Sequence, residues 1–369
     1  MTIPTTAEFR SQLVAWLDDH DLTPPADHSL DAHHRQYQRV LGALYDADWM
    51  RWGWSESVGG LGGPMILRAV VGEEVVGRRL VEPGLYSMLE VLMPTLIDYA
   101  PPGLAAQMVP RLLSGRETWC QGFSEPGSGS DLASLTTRAE QRGDEWVING
   151  QKVWTSYAQY AQRCVLLTRT GPGHAGITAF FVDMDSPGID VRPLRTMHGV
   201  DEFCEVYLDD VVVAGDRILG NPGDGWQLAM DLLPYERSTC FWQRVAYLYS
   251  RLDALIDQVK GELGPAADAD LGAAYLALHT LRCRSRATQL RLASGQKLGP
   301  ETSIDKVLLS NAEQQFYDTV RDMLPGSIEL DDSVWRSEYL YSRASSIYGG
   351  TAEVQRNIIA RRLLDLGKE

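Results

Sequence analysis

Between Gly122 and Ser134 the chain reads Gly-Phe-Ser-Glu-Pro-Gly-Ser-Gly-Ser-Asp-Leu-Ala-Ser. Pro126, Gly127 and Gly129 let this backbone turn sharply among hydroxyls and two acids, so that N–H groups and serine oxygens can face a polar ligand. The stretch reads as a cradle. It lacks both glycine-rich phosphate fingerprints, the dinucleotide and the Walker types. Further on, Asn149-Gly150 between Trp146-Val147-Ile148 and Gln151-Lys152-Val153-Trp154 has the composition of a tight two-residue hairpin turn. A second glycine-rich stretch, Ser346 to Ala360, lies near the far end and contains Gly349-Gly350-Thr351-Ala352-Glu353.

The elements that must hold these segments follow from the patterning. Ala7 to His20, His33 to Trp49, Met65 to Arg79, Tyr86 to Tyr99 and Gly103 to Leu113 carry apolar residues at helical spacing. Five glycines between Gly53 and Pro64 mark a loop. From Trp119 to about Asp216 the pattern changes to short β-rich runs at Trp146–Trp154, Cys164–Arg169, Ile177–Val182, Ile189–Arg192 and Cys204–Val213, which argue a β-barrel or sandwich. Helical spacing then returns in Trp226–Arg237, Trp242–Val259, Leu271–Leu292, Ile304–Leu324 and Tyr339–Leu366, with Gly261 to Asp270 as a connection. The fold class is therefore α+β. Its three parts are an N-terminal helical domain (1–117), a middle β domain (118–219) and a C-terminal helical bundle (220–369).

Composition bounds the function. With 369 residues and 44% hydrophobic content, the chain is long enough for a large core and for two or three structural units. The net charge of −15 and a pI near 4.9 offer no basic surface for nucleic acid or anionic lipid. Five scattered cysteines without a CxxC pair read as reduced thiols, neither a disulfide framework nor a zinc site. No basic-then-apolar leader and no membrane-length apolar run is visible, so the expected location is the cytoplasm. Glu73-Glu74 reads as one solvated helix face, and His33-His34 as surface without a second metal-ligand group.

The serine-rich turn, the Lys152-Val153-Trp154-Thr155-Ser156 strand end and the segment from Gly349 to Ala360 occur in this order, and together they resemble the acyl-CoA dehydrogenase family of flavoproteins. The likeness covers nearly the whole chain. It implies an N-terminal helical domain, a middle β domain and a C-terminal four-helix bundle. It also implies FAD as cofactor and removal of a proton and a hydride from adjacent carbons of an acyl thioester, giving the 2,3-enoyl product. By resemblance Gln121, Phe123 and Ser124 lie along the flavin, Trp154 and Ser156 cover its other edge, and Thr351 and Glu353 meet the dinucleotide. Ser130 corresponds to a serine that touches the CoA portion, Arg237 to a residue near the substrate, and no metal is implied.

Two departures from the family pattern matter. Many members carry the catalytic glutamate immediately before Gly-Thr in the last segment, where this chain has Gly349, and a glycine abstracts no proton. Isovaleryl- and long-chain-type members place the base at a Glu-Arg pair on the helix opening the C-terminal bundle, which here is Glu236-Arg237 after Pro234. Pro234 suits a helix beginning or a kink, and an acid near a helix N-terminus also has a purely structural rationale. Glu236 is the expected base, with Gly349 leaving room for its carboxylate.

The second departure concerns the cofactor. Homotetrameric members reach across a subunit interface to the FAD pyrophosphate with stretches that Lys260–Gly264 and Asp322–Ser327 do not reproduce. This pattern is similar to subunits of heteromeric bacterial dehydrogenases. The expected partners are thus an acyl-CoA or acyl-carrier-protein thioester, an electron-transfer flavoprotein, and either a homo-oligomer (dimer or tetramer) or a second dehydrogenase-like chain. Two other classes remain open: a noncatalytic subunit that completes a partner's FAD site, and a flavin oxidase or monooxygenase of the same fold.

Overall fold

The computed structural model describes residues 3–261, 264–330 and 333–367. Five helices come first: α1 (Thr6–Asp19), α2 (Leu30–Asp46), α3 (Ile66–Gly77), α4 (Pro83–Tyr99) and α5 (Pro102–Leu113). Their starts are written in the sequence. Thr5 and Glu8 form a reciprocal capping box on α1, Ser29 caps α2, and Pro83 and Pro102 occupy first-turn positions of α4 and α5.

The strands are β1 (Trp119–Gly122), β2 (Arg138–Arg142), β3 (Glu145–Ser156), β4 (Arg163–Arg169), β5 (Ile177–Asp183), β6 (Ile189–Leu194), β7 (Phe203–Ala214) and β8 (Ile218–Leu219). They form one sheet in the order β6-β7-β3-β2-β4-β5-β8, with β1 pairing parallel to β4. A single β2–β4 bridge, Arg138 to Arg169, joins the two halves. The halves face each other over an inner core that includes Trp146 and Ile148 on one side and Leu166 and Phe180 on the other, so the sheet folds over on itself.

Asn149-Gly150 is not the hairpin turn. The chain turns at Gly143-Asp144, where Arg142 pairs with Glu145 and Gly143 takes a φ of 65°. Asn149-Gly150 instead lies inside the long β3 strand, at a shift of register against β7. Glycine is needed there for a close approach, since a Cβ on Gly150 would lie 2.5 Å from Thr137 Oγ1.

Six further helices follow: α6 (Gly225–Glu236), α7 (Thr239–Val259), α8 (Pro265–Ala293), α9 (Thr302–Met323), α10 (Val334–Ser342) and α11 (Ala352–Arg362). Within the expected connection, Glu262 and Leu263 lie outside the described residues, and α8 begins at Pro265, earlier than the Leu271 that spacing suggests. Tyr339–Leu366 is not one helix. Gly349 and Gly350 both adopt positive φ and separate α10 from α11, which together fill the fourth place beside α7, α8 and α9.

One apolar core runs from Phe9 of α1 to Trp335 of α10, taking in Trp119 and Phe181 of the sheet, so the two helical regions are packed as a unit. Charges stitch the same join. Glu73 is buried and pairs with Arg10 and Arg282, while Glu74 pairs with Arg10 and Arg78. The expectation of a solvated acidic face therefore fails, because α3 is covered on that side by α1 and α8. His34 is buried too, stacked on Tyr160 and hydrogen-bonded to Thr118 Oγ1 at 2.8 Å, whereas His33 is half-exposed beside Glu82. Among the described residues no helix is long and apolar enough to cross a membrane.

Candidate active site

Helix α6 ends at Glu236 and α7 starts at Thr239. Pro234 stands in the last turn of α6, where it cannot donate to the carbonyl one turn back. The glutamate therefore sits at a helix C-terminus in the α6–α7 junction, not at a helix beginning. Around this junction meet α4, β1 and the segment before α11.

The decisive contact is between Glu236 and Gly349. A Cβ built on Gly349 would lie 2.9 Å from Glu236 Oε1 and 3.4 Å from Lys306 Cε, so the carboxylate occupies the space a side chain at 349 would need. Arg237 holds the other strand of the junction, its Nε donating to the Gly349 carbonyl at 3.2 Å, and Gln355 Nε2 donates to the same oxygen at 3.1 Å. Burial raises the Glu236 carboxyl above its ordinary range, opposed by the charges of Arg237 and Lys306 and by the Gln121 amide of β1. Lys306, fully buried, hydrogen-bonds Ser310 Oγ and the Ser345 carbonyl and stands over the Tyr348 ring. Burial pushes its ammonium down to about 8 against the pull of Glu313 and Glu236. Sequence patterning singles out neither Lys306 nor the Gln121–Glu236 approach, because nothing in a helical spacing says which buried polar residue will face a distant loop.

The serine-rich cradle is organised by its acid. Glu125 is turned inward and accepts from Lys152 Nζ at 2.8 Å, from Thr136 N and Oγ1 at 2.6 and 2.8 Å, and from Thr137 N at 2.9 Å. Lys152 has no exposure at all and also donates to the Phe123 carbonyl at 3.2 Å. Burial alone would raise the Glu125 carboxyl, but the Lys152 charge and these hydrogen bonds outweigh it and hold it at about 2. Ser124 is thereby fixed beside β3, its carbonyl accepting from Val153 N at 2.9 Å, and Phe123 is buried. Ser130 is exposed at the outer end of the same loop.

Trp154 is 59% exposed, held at a φ of 61° with its ring edge-on to Phe203. A large aromatic in a left-handed conformation on the open side of a strand presents a flat face to a planar ligand. Nearby polar groups are left unmatched: Gln121 Oε1 and Thr155 Oγ1 are buried without a hydrogen-bond partner, and Ser156 is half-buried at the end of β3. An exposed aromatic face on β3, with orphaned polar atoms on β1 and β3, fits a flavin ring system. At the other end Thr351 caps α11 by accepting from Val354 N at 3.2 Å, and Glu353 is exposed beside Arg356. The structure thus brings Gln121, Glu236, Arg237 and Gly349 together, while Ser130 and Glu353 stand on the surface.

Residues 120–211 match the model of the acyl-CoA dehydrogenase middle domain, and residues 223–364 that of the acyl-CoA dehydrogenase C-terminal domain. The chain belongs to the acyl-CoA dehydrogenase family. It is 36% identical to acyl-CoA dehydrogenase IpdE1 of Mycobacterium tuberculosis, over 98% of each chain. Among solved structures it resembles the Tcur3481-Tcur3483 steroid ACAD, with a TM-score of 0.87 at 25% identity over the whole of both chains. It also resembles the ChsE4-ChsE5 complex from Mycobacterium tuberculosis, with a TM-score of 0.83 at 25% identity over 100% of this chain and 99% of the other. Members of this family are flavoprotein oxidoreductases acting on acyl-CoA, and the Trp154 face and the orphaned polar atoms suit that cofactor.

Proposed function

We propose that this chain is the catalytic subunit of an FAD-dependent acyl-CoA dehydrogenase with Glu236 as its base. The observation that carries the reading is the shared space at Gly349. The carboxylate of Glu236 lies where a side chain at 349 would point, so both family positions for the base converge on one spot. A half-buried carboxyl with a raised pKa is suited to take the α-carbon proton once the thioester carbonyl has acidified it. When bound, FAD supplies the acceptor for the hydride leaving the β-carbon. Trp154, Phe123, Ser124, Ser156 and Gln121 are the residues that would hold its ring, and Thr351 and Glu353 those that would meet its dinucleotide end. Lys306 steadies the segment on which Gly349 sits through its bond to Ser345, and its charge favours the ionised base.

A second dehydrogenase-like chain completing the FAD site is the assembly the reading favours. Its support is that Lys260–Gly264 and Asp322–Ser327 lack the family's interface stretches and that two similar structures, Tcur3481-Tcur3483 and ChsE4-ChsE5, are of paired chains. An electron-transfer flavoprotein is the proposed electron acceptor, the CoA thioester the proposed carrier, and the cytoplasm the proposed location.

The test is an anaerobic titration of the FAD-loaded protein with a panel of acyl-CoAs, alongside Glu236→Gln. Native protein is expected to lose its visible flavin absorbance on addition of substrate. The variant is expected to bind the same thioester with unchanged Kd while its reduction rate falls by about 10²–10⁴-fold. Reduction of the variant at the native rate would overturn the base assignment.

A further inference from the structure

We propose that Cys283, on the outer face of α8, is a thiol–disulfide exchange site at which His279 takes the thiol proton and Arg286 receives an anionic disulfide. None of these residues belongs to the Glu236 junction, and the chemistry needs neither flavin nor acyl thioester. Exposure separates this thiol from the others: Cys120, Cys164, Cys204 and Cys240 are buried, whereas Cys283 is exposed. The helix puts His279 one turn back on the same face, with Nε2 3.5 Å from Cys283 Sγ. The other imidazole nitrogen, Nδ1, is 3.4 Å from the hydroxyl of Tyr249 on α7.

With its proton on Nδ1, the imidazole donates to Tyr249, and Nε2 is then free to accept from the thiol. Two neighbours hold that pose. Tyr275, one turn further back on α8, stacks on the imidazole with ring centroids 5.8 Å apart, and Arg282 covers the Tyr249 ring at 5.2 Å. A nucleophile, a base within its reach and a third group orienting the base form the constellation that activates a cysteine. A His–Cys pair one turn apart also suits a metal, but among the described residues no group of three His, Cys, Asp or Glu is placed to hold one. Thiol chemistry is therefore the use this pair fits.

Charge selects the disulfide. The chain carries a net −15, yet Arg282, Arg284, Arg286 and Arg291 cluster around this thiol in sequence. Arg282 is taken by Glu73, Arg284 by Asp305 and Arg291 by Glu301. Arg286 is exposed, makes no ion pair among the described residues, and lies one turn beyond Cys283 on the face that bears His279. Repulsion from carboxylates farther than about 8 Å is screened at physiological salt, so the adjacent guanidinium decides. Leu276 and Leu290, two turns to either side on that face, are exposed as well, which leaves the thiol open to a bulky reagent. In the exchange, the Cys283 sulfur attacks one sulfur of the disulfide, so that a new S–S bond forms as the old one breaks. His279 Nε2 takes the thiol proton, and the departing sulfur leaves with the electron pair as a thiolate, which that proton then neutralises. Cys283 is oxidised to a mixed disulfide while the other half of the reagent is reduced to a thiol.

The test uses the full chain in the assembly in which it purifies, with two probes of opposite charge: dithiobis(nitrobenzoate), which is anionic, and cystamine, which is cationic. Each is expected to modify a single thiol per chain, located at Cys283 by peptide mass and released by dithiothreitol. Cys283→Ser is expected to abolish the reaction. His279→Phe, which keeps an aromatic ring on Tyr275, is expected to slow both probes about tenfold, less than the 10²–10⁴ of an enclosed general base because water competes at an exposed site. Arg286→Gln is expected to slow the anionic probe about fivefold and not the cationic one. Circular dichroism checks that each variant is folded, as expected for replacements of exposed side chains. Glu236→Gln is expected to leave the thiol rates unchanged, so the exchange site and the base stand or fall separately. A native chain that does not react, or that reacts first at a buried cysteine, overturns the site, as does a native rate in His279→Phe. An unaltered ratio of the two probes in Arg286→Gln overturns the selection for an anion.

Discussion

Glu236 is subject to two opposed demands. Burial in the α6–α7 junction favours its neutral acid, while a proton-abstracting base has to be ionised. Arg237, Lys306 and Gln121 draw the balance back without cancelling it, so the carboxyl titrates above the ordinary carboxylate value. For a base this sets the sign: kcat/KM of the free enzyme should rise with pH through that raised value and level off above it. Glu202, pushed up to about 7 by burial and by the Glu82 charge, titrates in the neighbourhood and could be mistaken for the source. The rising limb should therefore survive Glu202→Gln, and its loss in that variant would move the assignment away from Glu236. Gly349 is the complementary test. Any side chain there meets Glu236 Oε1 and must also adopt a φ of 63°, at a cost of about 1–2 kcal/mol. Gly349→Ala is expected to lower the flavin reduction rate with little change in thioester Kd. Gly349→Glu placed on Glu236→Gln is expected to recover part of the lost rate, since it delivers a carboxylate to the same space. An unaltered rate in the alanine variant would show that the two positions do not share a site.

At the scale of elements, the cradle loop depends on an ion pair that joins it to β3. Lys152 and Glu125 are both buried, so removing one partner leaves an uncompensated charge and costs about 3–5 kcal/mol. Glu125→Gln should accordingly lower the thermal midpoint and weaken FAD retention together, because Ser124 and Phe123 lose their anchor. The folded value of Glu125, about 2, lies below the ordinary 4.5. Its stabilisation is therefore complete above pH 4.5 and is lost as the pH falls toward 2, so acid unfolding of the native chain should be steeper in that window than that of the variant. Superposable acid profiles would refute the anchoring role. The loop's composition was legible as a ligand cradle, and the spacing of α1–α7 and of β3–β7 was legible as helix or strand. The Glu125–Lys152 pair was not, because an acid beside Pro126 and a lysine in a strand each read locally as solvent-facing. The Asn149-Gly150 dipeptide misled for a related reason: its turn propensity was overridden by the close approach of Thr137, which only a glycine tolerates inside β3.

For the whole molecule, the order of helices, sheet and helices was readable from the changing period of the apolar residues, but the way the two helical regions meet was not. Apolar spacing tells which face of α3 or α7 is covered and does not tell by which partner. In the structure α3 lies against α7 and α8, α4 against α6 and α7, and one core passes through all of them. Glu73 adds a charged rivet at the same seam through Arg10 of α1 and Arg282 of α8. The proposed base lies in this seam, at the α6–α7 junction that packs against α4, so its geometry exists only while both helical regions are folded together. Segments 1–117 and 220–369 should then not unfold separately. Urea titration followed by far-ultraviolet circular dichroism and by the fluorescence of the buried Trp54 and Trp242 regions is expected to give one coincident transition for all the helices. Glu73→Gln should move that transition to lower urea as a whole, by breaking a buried pair on which two helices converge. Two separated transitions, with activity lost in the first, would mean that the helical regions are independent and that the seam is a weak interface, not a shared core.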